Sequence, residues 1–192
     1  MTARDGSTPL SPDELADLIP SLATKGELNE WERENILHAR EWALRDRTSA
    51  NAMVSDEYIR KLHKKMFGHT WRWAGQYQRT EKNIGVPSLE IRERLAGLLG
   101  DVGYWMEHGT YSSDETVVRF HHRLVAIHPF PNGNGRHGRL IADILISRLG
   151  RPVFTWGSNT LVQAGEMRVR YLDALRAADA GDIRSLLEFA RA

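Results

Sequence analysis

Cysteine is absent from the sequence. That excludes disulfide staples and thiolate metal sites, and it is compatible with a reducing compartment. An excess of charge of either sign is lacking too. With 26 basic residues against 25 acidic ones, no overall field draws the chain to nucleic acid or to an anionic membrane. Long apolar runs are missing: Met1 to Gly6 has no hydrophobic leader segment, and no later stretch is apolar and long enough to span a bilayer. The expectation is a cytoplasmic protein with neither a membrane nor a nucleic-acid partner. What is present, 192 residues of which 41% are hydrophobic, suits one compact domain with a sizeable core.

Helical periodicity dominates, so the fold class expected is mainly α. Ser11-Pro12-Asp13-Glu14 is a helix start with cap hydroxyl, proline and carboxylate in register, and Leu15, Leu18 and Ile19 are expected to face inward up to Pro20. Thr24 to Glu27 reads as a turn. Asn29 and Glu32 then cap a longer helix carrying Ile36, Ala39, Ala43 and Leu44 inward. Ser55 opens a helix with a stripe of Tyr58, Ile59, Leu62, Met66 and Phe67, and Gly68 stops it. His63 lies on or beside that stripe, without a carboxylate within a turn, and reads as a packed side chain. Gln76 to Pro87 has no helical period, and its Asn83-Ile84-Gly85 is turn-forming, so it reads as an extended hairpin. Ser88 caps the next helix. Its Gly97, Gly100 and Gly103 predict close approach of a neighbouring helix. His121 and His122 lack the four-residue spacing of helical zinc sites.

The chemistry concentrates between Ile127 and Arg139. Ser112 with Glu115 starts a helix whose Val117, Phe120, Leu124 and Ile127 share a face and which Pro129 ends near His128. Leu140, Ile141, Ile144, Leu145 and Leu149 restore the period until Gly150 and Pro152 stop it. The intervening residues therefore form a loop between two buried helices. Gly133 and Gly135 allow a sharp turn that brings backbone N–H groups up to a ligand. Those groups lie at a helix N-terminus, where orphan donors and the dipole favour an anion. Arg136 and Arg139 share a helix face and can fork onto a polyphosphate. His128 can take a proton near pH 7, and Phe130 is expected to point into the core and pin the loop. A base, an anion cradle and two guanidiniums together suggest phosphoryl or nucleotidyl transfer from a nucleotide to a hydroxyl.

His128 to Arg139 resembles the signature of the Fic/Doc family, His-Pro-Phe-x-(Asp/Glu)-Gly-Asn-Gly-Arg-x-x-Arg, and departs from it at Asn132. Over nearly its whole length the chain is also similar to the bacterial subfamily called mobile mystery protein B. The resemblance implies a Fic-like helical bundle with a small β-hairpin flap over the active-site loop. The polar first ten residues and the helical pattern after them predict a flexible arm at 1–10 and an N-terminal helical region at 11–54, and the resemblance makes 55–192 the catalytic core. It implies an enzyme that moves AMP from Mg²⁺·ATP to a Ser, Thr or Tyr of a target protein. In that analogy His128 and Arg136 are catalytic, and Pro129 and Phe130 are structural. Gly133, Asn134, Gly135, Arg136 and Arg139 bind the nucleotide phosphates.

Asn132 stands where the family places an acidic Mg²⁺ ligand. A neutral amide oxygen can ligate Mg²⁺ but lacks the charge that a hard cation prefers. Trp73-Ala74-Gly75 resembles the segment that precedes the flap, which makes Lys82, Asn83, Ile84 and Gly85 the target-binding residues. There the target pairs as an added strand, and Arg79 and Lys82 favour an acidic one. Many members are restrained by a helix bearing (Ser/Thr)-x-x-x-Glu-(Gly/Asn). Here Glu34 precedes Asn35 but Glu30 stands in the hydroxyl position, so an antitoxin-like partner is the restraint expected. Two other outcomes stay open: transfer of the γ-phosphate, as in the Doc branch, and a nucleotide- or protein-binding module whose catalysis is lost through Asn132.

Overall fold

The computed structural model describes residues 11–158 and 164–192; the arm expected at 1–10 lies outside the described residues. The helices are α1 (Pro12–Ala16), α2 (Lys25–Arg45), α3 (Ala50–Met53), α4 (Asp56–Phe67), α5 (Ile91–His108), α6 (Ser113–Ile127), α7 (Asn134–Arg148), α8 (Ala164–Asp179) and α9 (Ile183–Arg191), with a 3₁₀ turn at Ser88–Glu90. The fold is mainly α, as the periodicity predicts.

Helix α6 is the centre of the packing, with α7, α5 and α9 against it. Its Val117, Val118, Phe120 and Leu124 are buried together with Ile141, Leu145 and Ile146 of α7. α2 packs along α4 and also touches α7. Arg148 of α7 donates to the Ala43 carbonyl at 3.1 Å, supplying a cation to the last turn of α2, where carbonyls lack intrahelical partners.

The structure departs from the sequence reading at four places. α1 stops at Ala16, so its apolar pattern is not continued, and Leu15 and Ile19 are 52% and 46% exposed. Instead Glu14 is buried, and the chain beyond it zips onto 70–72 by Ile19 N–H to Thr70 O (2.8 Å) and Arg72 N–H to Asp17 O (3.0 Å). α2 begins earlier than expected. Thr24 and Glu27 cap each other's backbone at 3.2 and 3.0 Å, which makes the supposed turn a capping box; at the far end Leu44 is 82% exposed. No hairpin forms at 76–87: among the described residues the β pairing is a single bridge, Leu18 to Trp71. Two N–H groups of this strap bond to the motif loop rather than across a turn. Finally, Gly97, Gly100 and Gly103 face open space, on the side of α5 opposite buried Leu95, Leu98 and Val102.

The C-terminus is fastened to the start of α6. Arg191 forks onto both Asp114 carboxylate oxygens at 2.7 Å, and this guanidinium holds the Asp114 carboxyl below its usual range. Because the folded value is lowered, the contribution is present above the ordinary carboxylate pKa of about 4 and is lost as pH falls through the lowered value. Asp114→Asn is expected to cost roughly 1.5 kcal/mol at neutral pH. Thermal unfolding should show the gap to wild type closing in acid.

Candidate active site

The motif loop is set by backbone geometry first. His128 closes α6 in the left-handed region (φ 56°, ψ 56°), an uncommon place for a residue with a Cβ. Two strap N–H groups hold the loop around it: Gln78 donates to the Pro129 carbonyl at 2.9 Å and Val86 to the Ile127 carbonyl at 3.3 Å. Gly85 lies so near that a Cβ there would sit 2.6 Å from His128 Cβ. The His128 imidazole is mostly buried. Burial, with the Lys82 charge adding to it, lowers its pKa to about 4 against the pull of a hydrogen bond to Val125. At neutral pH it is therefore uncharged, the form that accepts a proton.

Downstream, Gly133 (φ 80°) turns the chain into α7, and no side chain caps that end. The first intrahelical bond is His137 N–H to Gly133 O at 2.9 Å, which leaves N–H groups of 134–136 directed out of the helix start, as an anion requires. Asn134 is buried, and its side chain locks the loop, accepting from Phe130 N–H (2.9 Å) and donating to Phe130 O (2.7 Å). What Asn134 turns toward a ligand is thus its backbone. Phe130 is fully buried.

The two arginines have different neighbours. Arg136 lies over the Phe67 ring at 5.0 Å and pairs with Glu32 of α2 at 2.7 Å. Glu32 is itself buried and accepts from Trp71 Nε1 at 2.8 Å. Arg139 stacks on Tyr171 of α8 at 5.0 Å, and the Tyr171 hydroxyl is 3.1 Å from His121 Nε2. Among the described residues Arg139 has no carboxylate at ion-pair distance. Glu34, the residue nearest to the inhibitory pattern, is exposed; the carboxylate that reaches the cradle lies two residues earlier.

Two expectations from the sequence are changed here. Lys82 does not offer its charge to a target: its Nζ is buried against Glu14 of α1 at 2.5 Å, and Thr80 donates to the same carboxylate. Asn83, Ile84 and Gly85 remain exposed. The Asn132 side-chain oxygen is engaged by the Gly133 N–H at 2.5 Å, and among the described residues no three His, Cys, Asp or Glu side chains converge to hold a metal. One neutral, already bonded oxygen does not fit a protein-built Mg²⁺ site. His121, His122 and His128 point to separate partners: Tyr171, Asp179 and Val125.

Sequence reasoning missed Glu32, Glu14 and Tyr171 as neighbours of the site and gave His63 a packing role alone. For Glu32 the incomplete pattern around Glu34 marked the right turn of helix. No local signal marked the others.

Residues 53–146 match the sequence family described as Fic/DOC family. The chain is 30% identical over 135 residues to the protein adenylyltransferase Fic of Drosophila grimshawi, covering 68% of this chain and 26% of the fly protein. It is 27% identical over 140 residues to protein adenylyltransferase fic-1 of Caenorhabditis elegans, covering 71% and 26%. The chain thus spans about a quarter of the length of the curated relatives it matches. Among solved structures, Fic-1 (aa134 - 508) of C. elegans superposes with TM-score 0.69 at 23% identity, covering 93% of this chain and 51% of that one. The BepC protein of Bartonella tribocorum, solved with bound AMPPNP, gives TM-score 0.70 at 16% identity over 88% of this chain and 87% of that one. These likenesses establish the fold.

Proposed function

From the premise that residues 53–146 form a Fic/DOC family domain, we propose that the protein is an adenylyltransferase that moves AMP from ATP to a Ser, Thr or Tyr hydroxyl of a target protein. The observation that carries this reading is the junction of α6 and α7: an uncharged imidazole closes one helix, and five residues on the next begins with an uncapped N-terminus. His128 takes the proton of the target hydroxyl, whose oxygen attacks the α-phosphorus. The bond to the pyrophosphate oxygen breaks, and the leaving charge is met by backbone N–H groups at 134–136 and by Arg136 and Arg139. A pKa of about 4 makes a weak base, but the negative phosphates of a bound nucleotide favour the protonated form and raise it.

Mg²⁺ enters in this proposal with ATP, as the nucleotide's own counter-ion. The exposed strap residues Asn83, Ile84 and Gly85 are where a target segment pairs, beside His128. The mobile mystery protein B assignment and a separate antitoxin-like inhibitor belong to the same proposal; the incomplete inhibitory pattern supports the latter.

The test offers purified protein a cell lysate and ATP labelled on the α-phosphate, with a parallel γ-labelled reaction. Label on protein from the α position alone is the expected result. Label from γ alone would move the assignment to kinase chemistry, although the intact Gly133-Asn134-Gly135-Arg136 run, from which the kinase branch departs, favours AMP transfer. Nucleotide binding without label from either position would leave a binding module.

A further inference from the structure

His63 of α4 is fully buried, and both of its ring nitrogens are used. Nδ1 accepts from the Gly75 N–H at 3.0 Å. An acceptor nitrogen carries no proton, so in the neutral ring the hydrogen is on Nε2, which lies 3.0 Å from the Asn132 carbonyl and donates to it. The ring stacks on Phe130 with centroids 3.7 Å apart. Burial, the neighbouring His137 and the Arg136 charge keep it neutral, with its pKa well below the usual value.

Each bond controls a different part of the site. The Asn132 carbonyl belongs to the peptide unit that carries the Gly133 N–H. In a planar trans peptide these two groups point in opposite directions, so fixing the carbonyl toward α4 sends the N–H the other way, where the Asn132 side-chain oxygen accepts it. The plane of this peptide thereby sets the turn at Gly133 from which α7 and its open N–H groups begin. Gly75 is where the strap leaves the Trp73-Ala74-Gly75 turn. Its carbonyl is held as well, by Arg60 Nε at 2.9 Å, so α4 grips both sides of this residue. Three residues on, Gln78 N–H bonds to Pro129.

We propose that His63 is a positioning residue that locks the nucleotide loop and the target-binding strap to each other through its two ring nitrogens. This rests on the adenylyl-transfer reading for the identity of the two ligands. A shift of the Asn132 carbonyl on nucleotide binding pulls on the same ring that sets Gly75, so the loop and the strap respond as one body, and by linkage each ligand changes the affinity for the other.

Two substitutions separate the bonds. In His63→Asn the amide oxygen takes the place of Nδ1 and keeps Gly75. In His63→Gln the amide nitrogen takes the place of Nε2 and keeps Asn132. Calorimetry with Mg²⁺ and ATP reads the loop, and amide exchange over 75–78 reads the strap. The expected pattern is crossed. The His63→Asn variant keeps strap protection and loses up to about tenfold in ATP affinity, one hydrogen bond's worth. The His63→Gln variant keeps affinity and exchanges faster over 75–78. Equal effects of both variants on both readouts, or no effect, would overturn the proposal. If wild type binds no ATP, the nucleotide reading fails by itself, and amide exchange at 133–136 replaces calorimetry as the loop readout. Should a variant fail to fold, ring ¹⁵N shifts of the wild-type protein decide: a proton on Nε2 is required, and one on Nδ1 would sink the idea.

Discussion

His128→Ala is expected to slow AMP transfer by roughly 10²–10⁴-fold, the usual worth of a general base, while nucleotide affinity stays near that of wild type. The phosphate-binding groups lie at the start of α7 and on Arg136 and Arg139, and the substitution leaves all of them in the chain. Single-turnover transfer of α-label, beside calorimetry with ATP, separates the two quantities. Retention of a tenth or more of the rate would remove His128 from the role of base. A second variant shows why this residue is there for chemistry. At φ 56° a Cβ costs about 1–2 kcal/mol that glycine does not incur. His128→Gly should therefore be as inactive as alanine yet unfold at a higher temperature than His128→Ala. Strain kept where it serves function is the expected pattern at an active site.

Gly133→Ala should have the largest effect on stability. The residue has φ 80°, and a Cβ would lie 2.5 Å from Phe67 Cζ and 2.6 Å from Cε2. Left-handed strain of about 1–2 kcal/mol adds to overpacking of about 1–3 kcal/mol, because the Phe67 ring is buried among α4 side chains and lies under Arg136. About 3 kcal/mol in a chain of this size lowers the melting temperature by roughly 6–12 °C. ATP binding should fall with it, since the loop cannot turn as before. Adding Phe67→Leu divides the cost: the clash is relieved and the backbone strain is not. Full recovery of stability in the double variant would show that the left-handed turn is not required.

The parts legible in the sequence are those written locally. Pro129, Ser112 with Glu115, and Gly150 mark helix ends through contacts within four residues, and so they placed the motif loop between two helices. Thr24 with Glu27 is written just as locally, yet Gly26 between them suggested a turn; glycine in the first turn of a helix costs little when the cap is satisfied. The strap shows a different limit. Its lack of helical period was real, but its hydrogen-bond partners are Pro129 and Ile127, not its own other half.

What was not legible joins distant residues. Arg136 and Glu32 are 104 positions apart, and Lys82 and Glu14 are 68 apart. The sequence offers His63 no partner carboxylate within a turn; its partners are backbone groups, which leave no mark in a sequence. The exposed glycines of α5 show the converse: a regular spacing without a neighbour to answer it.

Helix α2 ties these threads to a practical matter, the boundaries at which such a protein is cut. The recognisable stretch is 53–146, and excising it would discard Glu32, Glu14 and Tyr171 together. Arg136 would lose its carboxylate and Trp71 its acceptor, the buried Lys82 ammonium would have no counter-charge, and Arg139 would lose the ring it rests on. A buried cation stripped of its partner costs several kcal/mol. The unit of sequence recognition is therefore smaller than the unit of electrostatic closure. A fragment made for biochemistry has to begin upstream of Ser11 and run through α9.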